Sequence, residues 1–209
     1  MKHHWNQHAN IRKWLYKIQP KHVLEVGALN GENTENLKSL MSDIGYKLTV
    51  LSDDADIKDD GVTHIRGVSY REIDKMPDES VDFCILDTDH NYWTMMKELV
   101  ALKRVMKANG IIMLHDVDYY YYDNGISDSY ADGSEYPLKD IEEHCKHGGM
   151  GNAVIDALSV MKTDYRLLLW VPEECGCAVL QRMPFDILQK TLRPGYLGAG
   201  NRKGSVVNA

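Results

Sequence analysis

Apolar positions along the chain fall into two alternating rhythms. Trp5, Ile11, Trp14, Leu15 and Ile18 recur at helical spacing until Pro20 stops them, which predicts an amino-terminal helix leaning on a sheet edge. A short buried strand over 22–27 follows, then a turn through Ala28-Leu29-Asn30-Gly31 and a helix to Met41. Strands are predicted at 46–51 and 62–66, with residues 53–61 as a polar connection and a short helix at 69–76. The stretch 81–118 is the centre of the pattern. Two apolar runs, 81–86 and 111–114, flank an amphipathic helix, and each ends in a polar cluster: Asp87-Thr88-Asp89-His90 after the first, His115-Asp116-Val117-Asp118 after the second. Strand, helix, strand in this order is a parallel βαβ unit, which places both clusters at strand carboxyl ends, where an open α/β sheet forms its ligand crevice.

Beyond Asp118 the character changes. Tyr119 to Tyr122 and the acidic, glycine-punctuated segment reaching Tyr136 hold too little aliphatic content for an element of their own, so residues 117–150 are expected to form a loop or lid over the crevice. A short helix is possible within 137–147, and a stronger one is predicted at 153–161. Strands at 165–171 and 177–181 are expected to close the sheet as an antiparallel hairpin. The expected organisation is an amino-terminal helix over 1–20, one domain over 21–184 and a carboxyl-terminal tail over 185–209.

Composition narrows the function classes. The 209 residues, 44% hydrophobic and 26% charged, suit one globular domain with a sizeable core. A net charge of −7 without a basic stripe argues against a nucleic-acid backbone as partner. No apolar run reaches the length of a membrane span, and Cys84, Cys145, Cys175 and Cys177 lack a disulfide-like arrangement, so a cytoplasmic protein with reduced thiols is expected. His144, Cys145, His147, Cys175 and Cys177 do not have zinc-site spacing.

Three groups of residues carry candidate chemistry. Gly27 and Gly31 sit in a strand-to-helix turn where glycine lets a ligand approach the backbone and the next helix offers free N–H groups; the turn is not a G-x-G-x-x-G fingerprint. The second group is Asp87, Asp89, His90, His115, Asp116 and Asp118. Strand ends commonly carry solvated acids, but carboxylates on two adjacent strands repel unless a cation or shared proton holds them, and a divalent metal is the economical answer. The third is the tyrosines from Tyr119 to Tyr136, which are either a covering loop or a surface for a hydroxylated or aromatic acceptor.

The segments VLEVGALNGENTENL, DFCILDTDHNYW and KANGIIMLHDVD together resemble class I S-adenosylmethionine-dependent methyltransferases, most closely the small-molecule O-methyltransferases, including metal-dependent catechol-like and sugar enzymes. The resemblance spans about residues 20–182. It implies an α/β, Rossmann-like open sheet, mostly parallel, of seven strands with an antiparallel carboxyl-terminal hairpin and helices on both faces. It further implies that Glu25, Gly27, Ala28 and Gly31 lie around the methionine part of S-adenosylmethionine, that Asp53 (with Asp54 as alternate) takes the ribose hydroxyls, and that Asp87 borders the cofactor. The family's acidic contact near the adenine is replaced here by Gly67-Val68-Ser69, with Ser69 and Tyr70 as substitutes. Asp87, Asp116 and His115 would hold Mg²⁺ or Mn²⁺, imidazole also suiting softer ions. His90 stands where the catechol-type enzymes carry a catalytic lysine, and an imidazole is a suitable base at neutral pH; its alternative is to orient the loop. The implied activity is methyl transfer, with Asp87 and His90 in the reaction, to a hydroxyl of a small molecule or saccharide unit, with no nucleic-acid or membrane partner and a possible homo-oligomer. The competing readings are a catalytically silent cofactor-binding or scaffold protein and a nicotinamide-dependent reductase.

Overall fold

A computed structural model of the protein describes residues 3–28, 31–52, 61–88, 92–117, 150–161, 163–171 and 176–184. These form a seven-stranded sheet: β1 (His22–Val26), β2 (Lys47–Ser52), β3 (Val62–Arg66), β4 (Val81–Leu86), β5 (Met106–His115), β6 (Tyr165–Val171) and β7 (Cys177–Arg182), in spatial order β3-β2-β1-β4-β5-β7-β6. The first five strands are parallel, while β7 runs antiparallel to both β5 and β6. Every residue of β1 is buried, as expected of a parallel strand covered on both faces. The mostly parallel sheet with its closing hairpin is the architecture anticipated from the apolar rhythm.

Alternation along the strands separates two cores. Val23, Phe83, Ile85, Ile111, Met113 and Val179 face one side, and there they meet α1 (His3–Ile18) through Ile11 and Leu15 and α2 (Glu32–Ile44) through Leu37, Leu40 and Ile44. Leu24, Val26, Cys84, Leu86, Ile112 and Leu114 face the other side, against α3 (Ser69–Ile73), α4 (Tyr92–Val105) and α5 (Met150–Val160). Ile11 and Leu15 of the amino-terminal helix share one buried cluster with Leu37 and Leu40 of α2 and with inward-facing residues of the sheet.

Two boundaries moved. Strand β5 begins at Met106, not Ile111, since its pairing with β4 jumps from Val81↔Met106 to Phe83↔Ile111 and leaves residues 107–110 as a bulge with Asn109 at φ 66°. Helix α3 stops at Ile73, short of the expected Met76; Arg104 of α4 donates to the Asp74 and Met76 carbonyls there and satisfies backbone that another turn would have used. No helix among the described residues is long and apolar enough to cross a membrane. Cys84 and Cys177 are buried free thiols, burial pushing the Cys84 thiol up and the Cys177 thiol to about 12.

Candidate active site at the strand carboxyl ends

The topology reverses between β1 and β4: from β1 the chain winds outward to β2 and β3, then returns across β1 to β4. The crevice of such a sheet opens at this switch, outside the carboxyl ends of the two strands. Gly27 closes β1 at φ 87°, and a β-carbon there would stand 1.9 Å from the Asp87 carbonyl oxygen. Only glycine lets the ends of β1 and β4 approach this closely, so its first function is to bring the two connections together. Gly31 differs: it has φ 78° with open space around it and gives way to α2, whose first turn carries Glu32 and Glu35 toward the positive end of the helix dipole. Ala28 is buried between the two glycines.

Asp87, His115 and Asp116 converge at the next pair of strand ends. Asp87 Oδ1 lies 3.3 Å and Asp116 Oδ2 3.2 Å from the same His115 nitrogen, Nδ1. One ligand atom from each of the three lies within 4.8 Å of the others. Asp116 adopts φ 57°, unusual for a residue with a side chain, and this turns its carboxylate back toward His115. Burial disfavours the charged imidazole, but hydrogen bonds to Asp116 and Asp87 and their charges outweigh it and raise the His115 pKa to about 10. Two oxygen donors and one nitrogen donor within 4.8 Å of one another are a set that would suit a small divalent cation, which would compete with a proton for the imidazole.

The second Asp87 oxygen is also engaged. Asn33 at the start of α2 donates its amide to Asp87 Oδ2 at 3.1 Å, and Asn33 Oδ1 lies 3.2 Å from His8 Nε2 on α1. Glu25 is fully buried near the end of β1. Its Oε2 accepts a 2.7 Å bond from Thr34, while Oε1 is buried without a hydrogen-bond partner. Burial, opposed by the Thr34 bond and reinforced by the Asp87 charge, raises its pKa to about 7.

Ser69, expected to border the cofactor's base, donates its hydroxyl to Glu98 Oε1. Glu98, missed in the sequence, is a fully buried acid in the middle of α4 that also accepts from Thr88 Oγ1 at 2.9 Å. Its signal was present: Tyr92, Met95, Leu99 and Leu102 mark the apolar face of α4, and Glu98 interrupts it. Asn33 and His8 had no such signal. Asp53, Asp54, Asp89, His90, Asp118, the tyrosines from Tyr119 to Tyr136, His144, Cys145, His147 and Cys175 lie outside the described residues, as do most of the expected lid and the tail from residue 185.

Comparison with known proteins gives the arrangement a context. A family model described as a methyltransferase domain matches residues 6–117. No curated protein matches the chain. Among solved structures, a Staphylococcus aureus protein described as a caffeoyl-CoA O-methyltransferase superposes with a TM-score of 0.59 at 14% identity, covering 85% of this chain and 83% of that one. The methyltransferase PaMTH1 of Podospora anserina, solved with S-adenosylhomocysteine, gives 0.56 at 16% identity, covering 85% and 78%. The methyltransferase MycE of the mycinamycin biosynthetic pathway, solved with Mg and S-adenosylhomocysteine, gives 0.56 at 15% identity, covering 90% of this chain and 54% of that one. At these identities the likeness is one of fold.

Proposed function

The chain belongs to the methyltransferase-domain family, and from that premise we propose that it transfers the methyl group of S-adenosylmethionine to a hydroxyl of a small molecule or saccharide unit. The observation that carries the reading is the meeting of Asp87, His115 and Asp116 beside the Gly27 turn, at the switch point of the sheet. S-adenosylmethionine supplies an electrophilic sulfonium methyl, so the protein's tasks are alignment, exclusion of water and removal of the acceptor's proton. Gly27, Ala28 and Gly31 shape the floor under the methionine part, and the unpartnered Glu25 Oε1 is an acceptor suited to its ammonium group. Asp53 takes the ribose hydroxyls, and Ser69 borders the base. Asp87, His115 and Asp116 are the residues that would hold Mg²⁺ or Mn²⁺, whose chemistry is to lower the pKa of a ligated hydroxyl. His90, three residues after Asp87, receives the acceptor's proton, and residues 117–150 form the acceptor side.

A second reading concerns the metal alone. With Nδ1 shared by two carboxylates, a protonated His115 neutralises part of the charge that a cation would otherwise meet, and transfer would then proceed without metal. Calorimetry with S-adenosylhomocysteine and with Mn²⁺, together with methyl transfer from radiolabelled cofactor to a panel of phenols and sugars, tests both. Cofactor binding, Mn²⁺ binding lost in Asp87→Asn, and transfer abolished by EDTA and by His90→Ala are the expected outcomes. Full transfer in EDTA rejects the metal, and no binding of S-adenosylhomocysteine rejects the activity.

A further inference from the structure

Helix α1 carries His8, Ile11 and Leu15 at spacings of three and four, which places them along one face. Ile11 and Leu15 are fully buried there, in the cluster that holds Leu37 and Leu40 of α2. His8 continues the face toward the amino-terminal end of the helix. Two contacts give the relative direction of α1 and α2. His8 Nε2 lies 3.2 Å from Asn33 Oδ1 in the first turn of α2, and Tyr16 donates its hydroxyl to Asp43 in the last turn at 3.4 Å. The helices therefore run the same way. Because α2 starts just beyond the carboxyl end of β1, His8 stands at the same rim as the strand ends.

Both ends of the Asn33 amide are used. Its nitrogen donates to Asp87 Oδ2 at 3.1 Å, which leaves its oxygen turned to His8. A carboxamide oxygen only accepts, so the hydrogen of that second bond comes from His8 Nε2, whether the ring is neutral or protonated. The bonds form one directed chain, from α1 through α2 to the residue that ends β4. Asp87 Oδ1 meets His115 Nδ1 at 3.3 Å on the other side. A contact at each oxygen fixes the plane of a carboxyl group about a torsion that is otherwise broad. The Asn33 amide has the same kind of soft torsion, and His8 is the contact that keeps its nitrogen toward Asp87.

We propose that His8 is a positioning residue: through Asn33 it holds the Asp87 carboxyl group in the orientation that presents Oδ1 to a divalent cation shared with His115 and Asp116. Helix α1 is then a working part of the site and not only a cover for the sheet. The proposal rests on the cation reading above. Groups that hold a ligating side chain from behind govern metal affinity without touching the metal, because they fix the geometry that binding would otherwise have to impose. His8 acts one bond further back than Asn33. Its removal therefore cannot cost more than removal of Asn33, and it costs nothing once Asn33 is gone.

The experiment is calorimetry with Mn²⁺ on the full chain, on His8→Phe, His8→Gln and Asn33→Ala, and on His8→Phe combined with Asn33→Ala, with circular dichroism to verify each fold. His8→Phe keeps a ring and loses the donor, and is expected to weaken Mn²⁺ binding by about threefold, no more than Asn33→Ala does. His8→Gln, whose amide N–H takes nearly the place of Nε2, is expected to stay within about twofold of the full chain. In the Asn33→Ala background His8→Phe is expected to add nothing. A role confined to packing would lower the melting temperature and leave Mn²⁺ affinity intact, which overturns the proposal. A loss that adds to that of Asn33→Ala, or one that His8→Gln does not restore, overturns it as well. If His8→Phe does not fold, His8→Ala is measured in its place and read in the same way. A full chain that binds Mn²⁺ regardless of His8 overturns this inference alone, whereas one that binds no Mn²⁺ overturns the cation reading and this inference with it.

Discussion

Strand β4 carries an acid at each end, and the two are treated in opposite ways. Asp82, near the amino-terminal end, accepts from the backbone N–H groups of Lys21 and His22 at 3.0 and 2.9 Å and from Lys107 Nζ at 2.8 Å. Burial works to raise its pKa, but the Lys107 bond, the two backbone bonds and the Lys107 charge together lower it. His22 beside it is likewise used on both ring nitrogens, by the Ser80 carbonyl and Thr49 Oγ1, each at 2.9 Å. Asp87, just past the other end, faces Asp116 across one imidazole and lies near Glu25, whose pKa its charge helps to raise. The amino-terminal end of the sheet is therefore electrostatically satisfied, while the carboxyl-terminal end gathers negative charge that a ligand or proton must balance. Stability is built at one end of the strand and given up at the other, as expected of a binding site on a rigid scaffold.

The contrast can be broken most severely at Gly27. Gly27→Ala places a methyl group against the Asp87 backbone at a positive φ, so strand ends β1 and β4 must separate; a loss of about 3 kcal/mol or more is expected in chemical denaturation. An unchanged midpoint would mean the two connections are not held together there.

The next effect is a dependence on pH. The folded-state pKa of Glu25, about 7, stands above its ordinary value of 4.5, so its contribution to stability is fully present below about 4.5 and is lost as pH rises through 7. Glu25→Gln is expected to remove that slope and to stabilise the protein at pH 8 by up to roughly 3 kcal/mol, the linkage equivalent of the shift. Thermal melts from pH 5 to 8 check this. Equal pH slopes in the two proteins would show that Glu25 is not strained in the native state.

Asp82 has the opposite sign. Its lowered pKa contributes stability that is present above the ordinary aspartate range and lost as pH falls through the folded value. Asp82→Ala is expected to cost about 2 kcal/mol at pH 7 and leave S-adenosylhomocysteine affinity untouched. A change in that affinity would join the two ends of β4 functionally and remove the contrast.

The smallest effect is expected at Asn33. Asn33→Ala removes one hydrogen bond to Asp87 Oδ2 and is expected to weaken Mn²⁺ binding by only a few-fold, on the order of 1 kcal/mol, with little change in melting temperature. Loss as complete as in Asp87→Asn would make Asn33 a ligand rather than a support.

Much of this molecule was readable before any coordinates. Strands β3, β4 and β6 occupy the residues that apolar runs and turn residues assigned to them: β4, parallel and buried along most of its length, is apolar nearly throughout, whereas the edge strands β3 and β6, half-buried or exposed over most of their length, were bounded by the glycine and proline turns beside them. The βαβ unit likewise determined that Asp87 and His115 would stand at neighbouring strand ends, since handedness and strand polarity leave no other place for them. What the sequence could not supply was the direction and occupancy of individual polar atoms. That Asn33 on α2 reaches Asp87, that His8 on α1 reaches Asn33 in turn, and that Glu98 accepts from the hydroxyls of Ser69 and Thr88 all depend on contacts between residues separated in the chain. Hydrophobic periodicity is a sum over many residues and survives local error; a hydrogen bond is one pair at one distance, and only the packed tertiary structure decides it.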